Sequence, residues 1–230
     1  MSIRILLVDD NHLFRKGLAA LISNDAEFLV LGDVPGGMHV TQSALDFDPD
    51  VIVMDLQLDG LNGLETGAQI KRRLPDVRIV LLTALQTQEH VRAALRAGVD
   101  GYVLKDATAD ELKACLRAVA AGRKFLSADV SALVVDSLMN PDAPKTSAAR
   151  LEALTPRERS ILQLVAEGRT NRGAAEFLNI SPKTIEKHRS SLMHKLGLRN
   201  AAELTLAALD LGLIERPSAV TRLSGEGRRQ

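Results

Sequence analysis

Tryptophan is absent, and tyrosine and cysteine each occur once in 230 residues. A lone cysteine, Cys115, excludes an internal disulfide and fits a reducing compartment. It falls in a helical pattern with Leu112, Leu116 and Val119, which marks it for core packing. No apolar run approaches the ~20 residues that a membrane helix needs. Met1-Ser2-Ile3-Arg4 leads straight into a strand-like run, with no secretory leader to be read, so a cytoplasmic location is expected. Net charge is also lacking, although 25% of residues are charged and 46% are hydrophobic. The zero hides a split. Residues 1–121 carry 12 Lys+Arg against 17 Asp+Glu, a net of −5, and residues 150–230 carry 14 against 9, a net of +5. An acidic half joined to a basic half predicts two modules with different partners, the basic one suited to a polyanion.

The acidic half alternates short apolar runs with helix-length segments. Strands are predicted near 3–8, 28–33, 51–54, 78–82 and 101–104, and helices near 12–23, 37–46, 64–73, 87–97 and 108–121. Five such units make a three-layer α/β domain on a doubly wound parallel sheet. Gly122 suits the end of the last helix. Residues 125–127 look extended, and 128–139 read as one more helix capped by Ser127. Asn140-Pro-Asp-Ala-Pro-Lys-Thr-Ser has two prolines and no apolar period, as a linker does. Helices near 155–167, 171–178, 182–196 and 200–211 follow, a second and smaller all-α module. The division expected is therefore 1–122, a linker with one helix at 123–150, 151–215, and a flexible tail at 216–230.

Four polar positions follow apolar runs in the acidic half: Asp9-Asp10, Asp55, Thr83 and Lys105. In an open α/β sheet ligands bind outside the carboxyl ends of the strands. Those ends would bring carboxylates, a hydroxyl and an ammonium into one crevice. Asp55 can attack a phosphoryl donor and form an acyl phosphate. Asp10, helped by Asp9, can hold Mg²⁺ through oxygen. Lys105 can pair with phosphoryl oxygens, and Thr83 can donate a hydrogen bond to the same group. Each residue alone would be a cap, a loop residue or a surface lysine. The set in that order carries the reading.

The strings Ile5-Leu-Leu-Val-Asp-Asp10, Val53-Met-Asp-Leu56, Leu81-Leu-Thr-Ala84 and Gly101-Tyr-Val-Leu-Lys-Asp106 make segment 3–121 resemble the receiver domain of bacterial two-component response regulators. The resemblance implies a five-stranded sheet of order 2-1-3-4-5 with Asp55 as phosphoacceptor from a sensor histidine kinase. It implies Mg²⁺ held by Asp10, Asp55 and the backbone carbonyl of Gln57, with Asp9 nearby. It also implies Thr83 and Tyr102 as a switch pair, in which the hydroxyl moves to the phosphoryl group and the ring turns inward. Tyr102 would otherwise read as an edge-strand residue. One departure is Asp59, where many relatives have proline, which leaves the loop after Asp55 less constrained.

In the basic half, 171–178 and 182–196 fit a helix-turn-helix. Ile185, His188, Leu192 and Leu196 form an inward stripe. Lys183, Lys187, Ser190 and His194 share another face, with Arg189 beside it, suited to a major groove. Thr184 and the first amides can hold a phosphate. The strings Leu154-Thr-Pro-Arg-Glu-Arg, Val165-Ala-Glu-Gly-Arg-Thr-Asn171, Ile180-Ser-Pro-Lys-Thr-Ile-Glu-Lys-His-Arg189 and Lys195-Leu-Gly-Leu198 make 152–214 resemble the LuxR-type helix-turn-helix. Lys183, Thr184, Lys187, Arg189, Ser190 and Lys195 form the expected DNA-binding set. Gly173, inside the first helix of the motif, departs from the pattern. Together the two resemblances point to the NarL/FixJ class of response regulators.

The expectation is a regulator, not an enzyme. Its partners would be double-stranded DNA, a sensor histidine kinase and a second copy on activation, with RNA polymerase a further candidate and no membrane. Before phosphorylation the modules would pack together and mask 182–196, the recognition helix of the motif. Dimerisation would use the last helix. The alternatives are a DNA binder indifferent to phosphate, a regulator that binds only protein, and an aspartyl-nucleophile phosphatase. The last is disfavoured because Gln57 stands where such enzymes carry a general acid.

Overall fold

The computed structural model describes residues 2–37, 39–58, 61–84, 88–139, 154–211 and 213–214. Asp59, residues 140–150 of the expected linker and the tail at 216–230 lie outside them. In chain order the first module runs β1 (Ile3–Val8), α1 (His12–Ser23), β2 (Phe28–Val34), α2 (Val40–Phe47), β3 (Val51–Met54), β4 (Gln57–Leu58), β5 (Leu61–Asn62) and α3 (Gly63–Arg73). Then come β6 (Arg78–Thr83), α4 (Gln88–Arg96), β7 (Gly101–Leu104), α5 (Ala109–Ala120), β8 (Phe125–Leu126) and α6 (Ala128–Met139).

The main strands lack a polar face because both faces are covered. Ile5, Leu7, Val51, Val53, Val80, Leu82 and Val103 pack with Leu112, Cys115, Leu116 and Val119 of α5. The alternate residues Leu6, Val8, Ile52, Met54, Ile79, Leu81 and Leu104 pack with Val40, Ile70 and Val91 on the opposite side. Burial pushes the Cys115 thiol up to about 12, as a packing cysteine requires.

The parallel order is β2-β1-β3-β6-β7-β8. This is the expected 2-1-3-4-5 arrangement with a sixth strand, since Gly101 and Tyr102 pair with Phe125 and Leu126. Tyr102 is therefore not on an edge. The second addition is the antiparallel β4–β5 hairpin, directly after Asp55. Ser127 does not cap α6. Its hydroxyl is buried without a hydrogen-bond partner among the described residues. Glu111 of α5 takes that role, accepting from Ala128 N at 3.1 Å, because its carboxylate reaches the helix start and the Ser127 hydroxyl does not.

The second module consists of α7 (Pro156–Ala166), α8 (Asn171–Phe177), α9 (Pro182–Leu196) and α10 (Ala201–Asp210) around its own core of Leu154, Ile161, Leu164, Ile185, Leu192 and Leu204. Thr155 and Glu158 form a reciprocal capping box at α7. Ser181 caps α9, and Gly197, at φ 69°, closes it. Thr170 caps α8 through Gly173 N at 3.1 Å. A Cβ on Gly173 would meet only Thr170 Oγ1, at an ordinary 3.5 Å, and the backbone is not left-handed there. Gly173→Ala is thus expected to stabilise this module by about 0.5–1 kcal/mol. A higher urea midpoint of the second module checks this, and a lower one contradicts it.

Candidate phosphoacceptor site and DNA-binding face

The register aligns the strand ends. Val8 pairs with Met54, Met54 with Leu81, and Thr83 with Leu104. Asp9, Asp55, Thr83 and Lys105 follow from that alignment on one edge of the sheet. The Lys105 ammonium lies 2.6 Å from Asp55 Oδ2 and 2.7 Å from Asp9 Oδ2. It also stands 4.7 Å from the Phe14 ring centroid, over the ring face. One cation thus bridges two carboxylates at the bottom of the crevice.

Burial raises the Asp55 carboxyl above its ordinary range, against the pull of Lys105 and the Gln57 amide and with help from the Asp9 charge. Burial pulls Lys105 down, but Asp55 and Asp9 outweigh it and hold the ammonium charged. An acceptor carboxylate that is only partly solvated, with a fixed cation at contact distance, matches what attack on an anionic phosphoryl group needs.

Asp10 is placed differently. Its Oδ1 accepts from Gly36 N at 2.7 Å, which draws the carboxylate toward the β2–α2 loop. Gly36 is needed for that approach, since a Cβ there would stand 2.8 Å from Asp10 Oδ1. A Cβ on Gly63 would stand 2.3 Å from the Asp55 carbonyl oxygen, so α3 can return this closely only on glycine. The Gln57 amide donates to Asp55 Oδ1 at 3.2 Å. Thr83 and Tyr102 are each 1% exposed, and the tyrosine ring is already inside the core beside α6. Burial and the Asp55 charge both raise its hydroxyl.

No three His, Cys, Asp or Glu side chains converge as a closed metal cage among the described residues. The donors on hand are carboxylate and carbonyl oxygens in an open crevice, which suits Mg²⁺ with one or two carboxylates and several waters.

On α9, Lys183, Lys187 and Ser190 are exposed and Thr184 is half-buried, bonded to the Ser181 hydroxyl at 2.8 Å. Arg189 and Lys195 also bond within the module. Arg189 donates to Asn171 Oδ1 at 2.7 Å, joining the two helices of the motif. Lys195 binds Glu158 at 2.9 Å and ties the end of α9 to the α7 cap.

The modules do pack together, but not through the recognition helix, whose outer face stays uncovered. The seam uses α7. Gln163, 3% exposed, donates to the Leu58 carbonyl of the hairpin at 2.7 Å. Ser160 binds Glu65 at 3.3 Å, with Arg159 3.9 Å from the same carboxylate. His90 of α4 meets the Leu211 carbonyl at 3.2 Å.

A family model of the response regulator receiver domain matches residues 5–117, and one of the bacterial regulatory proteins, luxR family, matches 152–208. Transcriptional regulatory protein LiaR of Bacillus subtilis is 34% identical, over 90% of this chain and 96% of its own. Nitrate/nitrite response regulator protein NarL of Escherichia coli is 36% identical, over 86% and 91%. The chain is a two-component response regulator of the NarL/FixJ class. Among solved structures, the RcsB response regulator of Salmonella typhimurium, described for its conformational dynamism in DNA interaction, superposes with a TM-score of 0.65. It is 25% identical, over 91% of this chain and 98% of its own. These relatives are regulators.

Glu65 is expected to make the regulator's seam sensitive to pH. Burial pushes its carboxyl up to about 7, against the pull of Arg159 and the Ser160 hydrogen bond. A raised carboxyl favours the closed seam fully below its ordinary 4.5, and that contribution is lost as pH rises through about 7. Hydrogen exchange of α7 is therefore expected to quicken more between pH 6 and 8, after correction for intrinsic rates, than in Glu65→Gln. That comparison leaves His90 unchanged in both proteins. Equal pH dependence in the two would contradict this role.

Proposed function

We propose that this regulator accepts a phosphoryl group on Asp55 from a sensor histidine kinase in the cytoplasm, and that the modification controls dimerisation and transcription from its DNA sites. The observation that carries the reading is the Lys105 ammonium held 2.6 Å from a largely buried Asp55 carboxylate at the sheet edge. Mg²⁺, when bound, supplies charge neutralisation for the transfer. Asp10, Asp55 and the Gln57 carbonyl would hold it, with Asp9 nearby. Lys105 and Thr83 then grip the phosphoryl oxygens. The Tyr102 ring, already packed inward, fixes the position behind Thr83.

A phosphoryl group brings about −1.5 to −2 charges; it takes the place of the Asp55 carboxylate and competes with Asp9 for Lys105. The hairpin carrying Gln57 and Leu58 lies between that event and Gln163 of α7. Moving it releases the second module. Lys183, Thr184, Lys187 and Ser190 then face DNA, while Arg189 and Lys195 hold the helices that present them. Dimerisation through α10 would supply two such helices for a two-part site. RNA polymerase would be met in that DNA-bound form.

The test is a mobility shift on genomic DNA fragments, with and without acetyl phosphate and Mg²⁺, at two salt concentrations. Phosphorylation should tighten binding, and binding should weaken steeply with salt. Identical affinity in both states would leave a DNA binder without phosphate control.

A further inference from the structure

Arg15 is a charged residue that the phosphoacceptor chemistry leaves unused, yet it is 6% exposed. Its Nε lies 2.9 Å from Asp33 Oδ2 at the end of β2, and its Nη1 donates to the backbone carbonyl of Asp9. The other Asp33 oxygen is 2.6 Å from Lys16 Nζ. Hydrogen bonds from Lys16 and then Arg15 hold the Asp33 carboxyl below its ordinary range, so the ion pair stays charged. Burying a guanidinium costs several kcal/mol unless it is paired and bonded. Both conditions are met here, and both partners belong to strand ends beside the crevice.

We propose that Arg15 is a positioning residue for the divalent-cation site, its guanidinium fork tying the Asp9–Asp10 peptide to Asp33. The carbonyl it grips belongs to the peptide from which the Asp10 side chain departs. On the other side of that peptide, the Asp9 carboxylate is held by Lys105 and by Asn11 N at 2.7 Å. The Asp9 amide makes only a 3.3 Å bond to Val34. Arg15 is thus the one charged anchor of the Asp9 carbonyl among the described residues. The neighbouring Phe14 sets its ring under Lys105 from the same helical turn. The first turn of α1 accordingly contacts both the Asp9 carbonyl and the Lys105 ammonium. Arg15 itself would touch neither the cation nor the phosphoryl group.

This inference rests on the proposed Mg²⁺ site, and its test separates the two. Mn²⁺ affinity is measured by calorimetry on the full chain and on Arg15→Met, Arg15→Lys and Asp33→Asn. Outer partners of metal ligands typically carry 10–100-fold in affinity. Arg15→Met should therefore weaken Mn²⁺ about tenfold. Arg15→Lys should not restore it, since one ammonium cannot reproduce the fork. Asp33→Asn keeps the guanidinium and should weaken Mn²⁺ severalfold, and it carries the test if Arg15→Met does not fold. Unchanged affinity in a folded Arg15→Met or Asp33→Asn, or full recovery by lysine, overturns the role of Arg15. Failure of the unaltered chain to bind Mn²⁺ at millimolar concentration overturns the cation site itself.

Discussion

Asp55→Asn should lose the phosphoryl label from acetyl phosphate and Mg²⁺ almost entirely, about 100-fold or more, because an amide oxygen is a poor nucleophile. The loss should come without unfolding. Burial already raises the Asp55 carboxyl, so its charge does not favour the folded state, and asparagine keeps the shape. Lys105 would keep Asp9 at 2.7 Å as a partner. The expected thermal midpoint is thus equal to or above that of the parent chain. Measuring label and midpoint on one preparation separates chemistry from folding. Label retained at the parent level would move the acceptor to another residue.

The second large effect concerns the recognition helix. Lys183 and Lys187 are exposed on its outer face. Replacing both by alanine should weaken DNA binding about tenfold or more and reduce the salt slope by about two, one for each phosphate no longer neutralised. Stability should not change. Lys195→Ala is the contrast. It leaves the Glu158 side chain, 9% exposed, without its lysine, and should cost about 1–2 kcal/mol of module stability. Fluorescence anisotropy across a salt series, paired with urea melts, checks both. An unchanged slope in the double variant would remove these lysines from the DNA interface.

Why these residues and not others could be read from the sequence has a physical basis. Parallel strands covered on both faces are continuous apolar runs, so Ile3–Val8, Val51–Met54 and Arg78–Thr83 are legible at nearly their observed bounds. Their polar successors fall at strand ends for the same reason. Two-residue strands leave no such trace, which is why the β4–β5 hairpin and the pairing of Phe125–Leu126 emerge only in the fold. Arg15 looks like any helical arginine until Asp33, 18 residues away, is brought to it. Arg189 and Lys195 share the basic character of the DNA face. Their bonds to Asn171 and Glu158, through which they can brace it, emerge only in the fold. The seam belongs to tertiary structure alone: Gln163 and Leu58 are 105 residues apart. It also revises the expected masking, because α7 and the end of α10 are covered while the recognition helix is not.

Coupling between Asp55 and that seam is read most directly by amide hydrogen exchange of the full chain, with and without acetyl phosphate and Mg²⁺. Once Asp55 carries the phosphoryl group, residues 57–58, 61–65 and 156–166 should lose protection together, and Gln163→Leu should show that loss beforehand. Full protection of these residues in a fully phosphorylated sample would contradict the account.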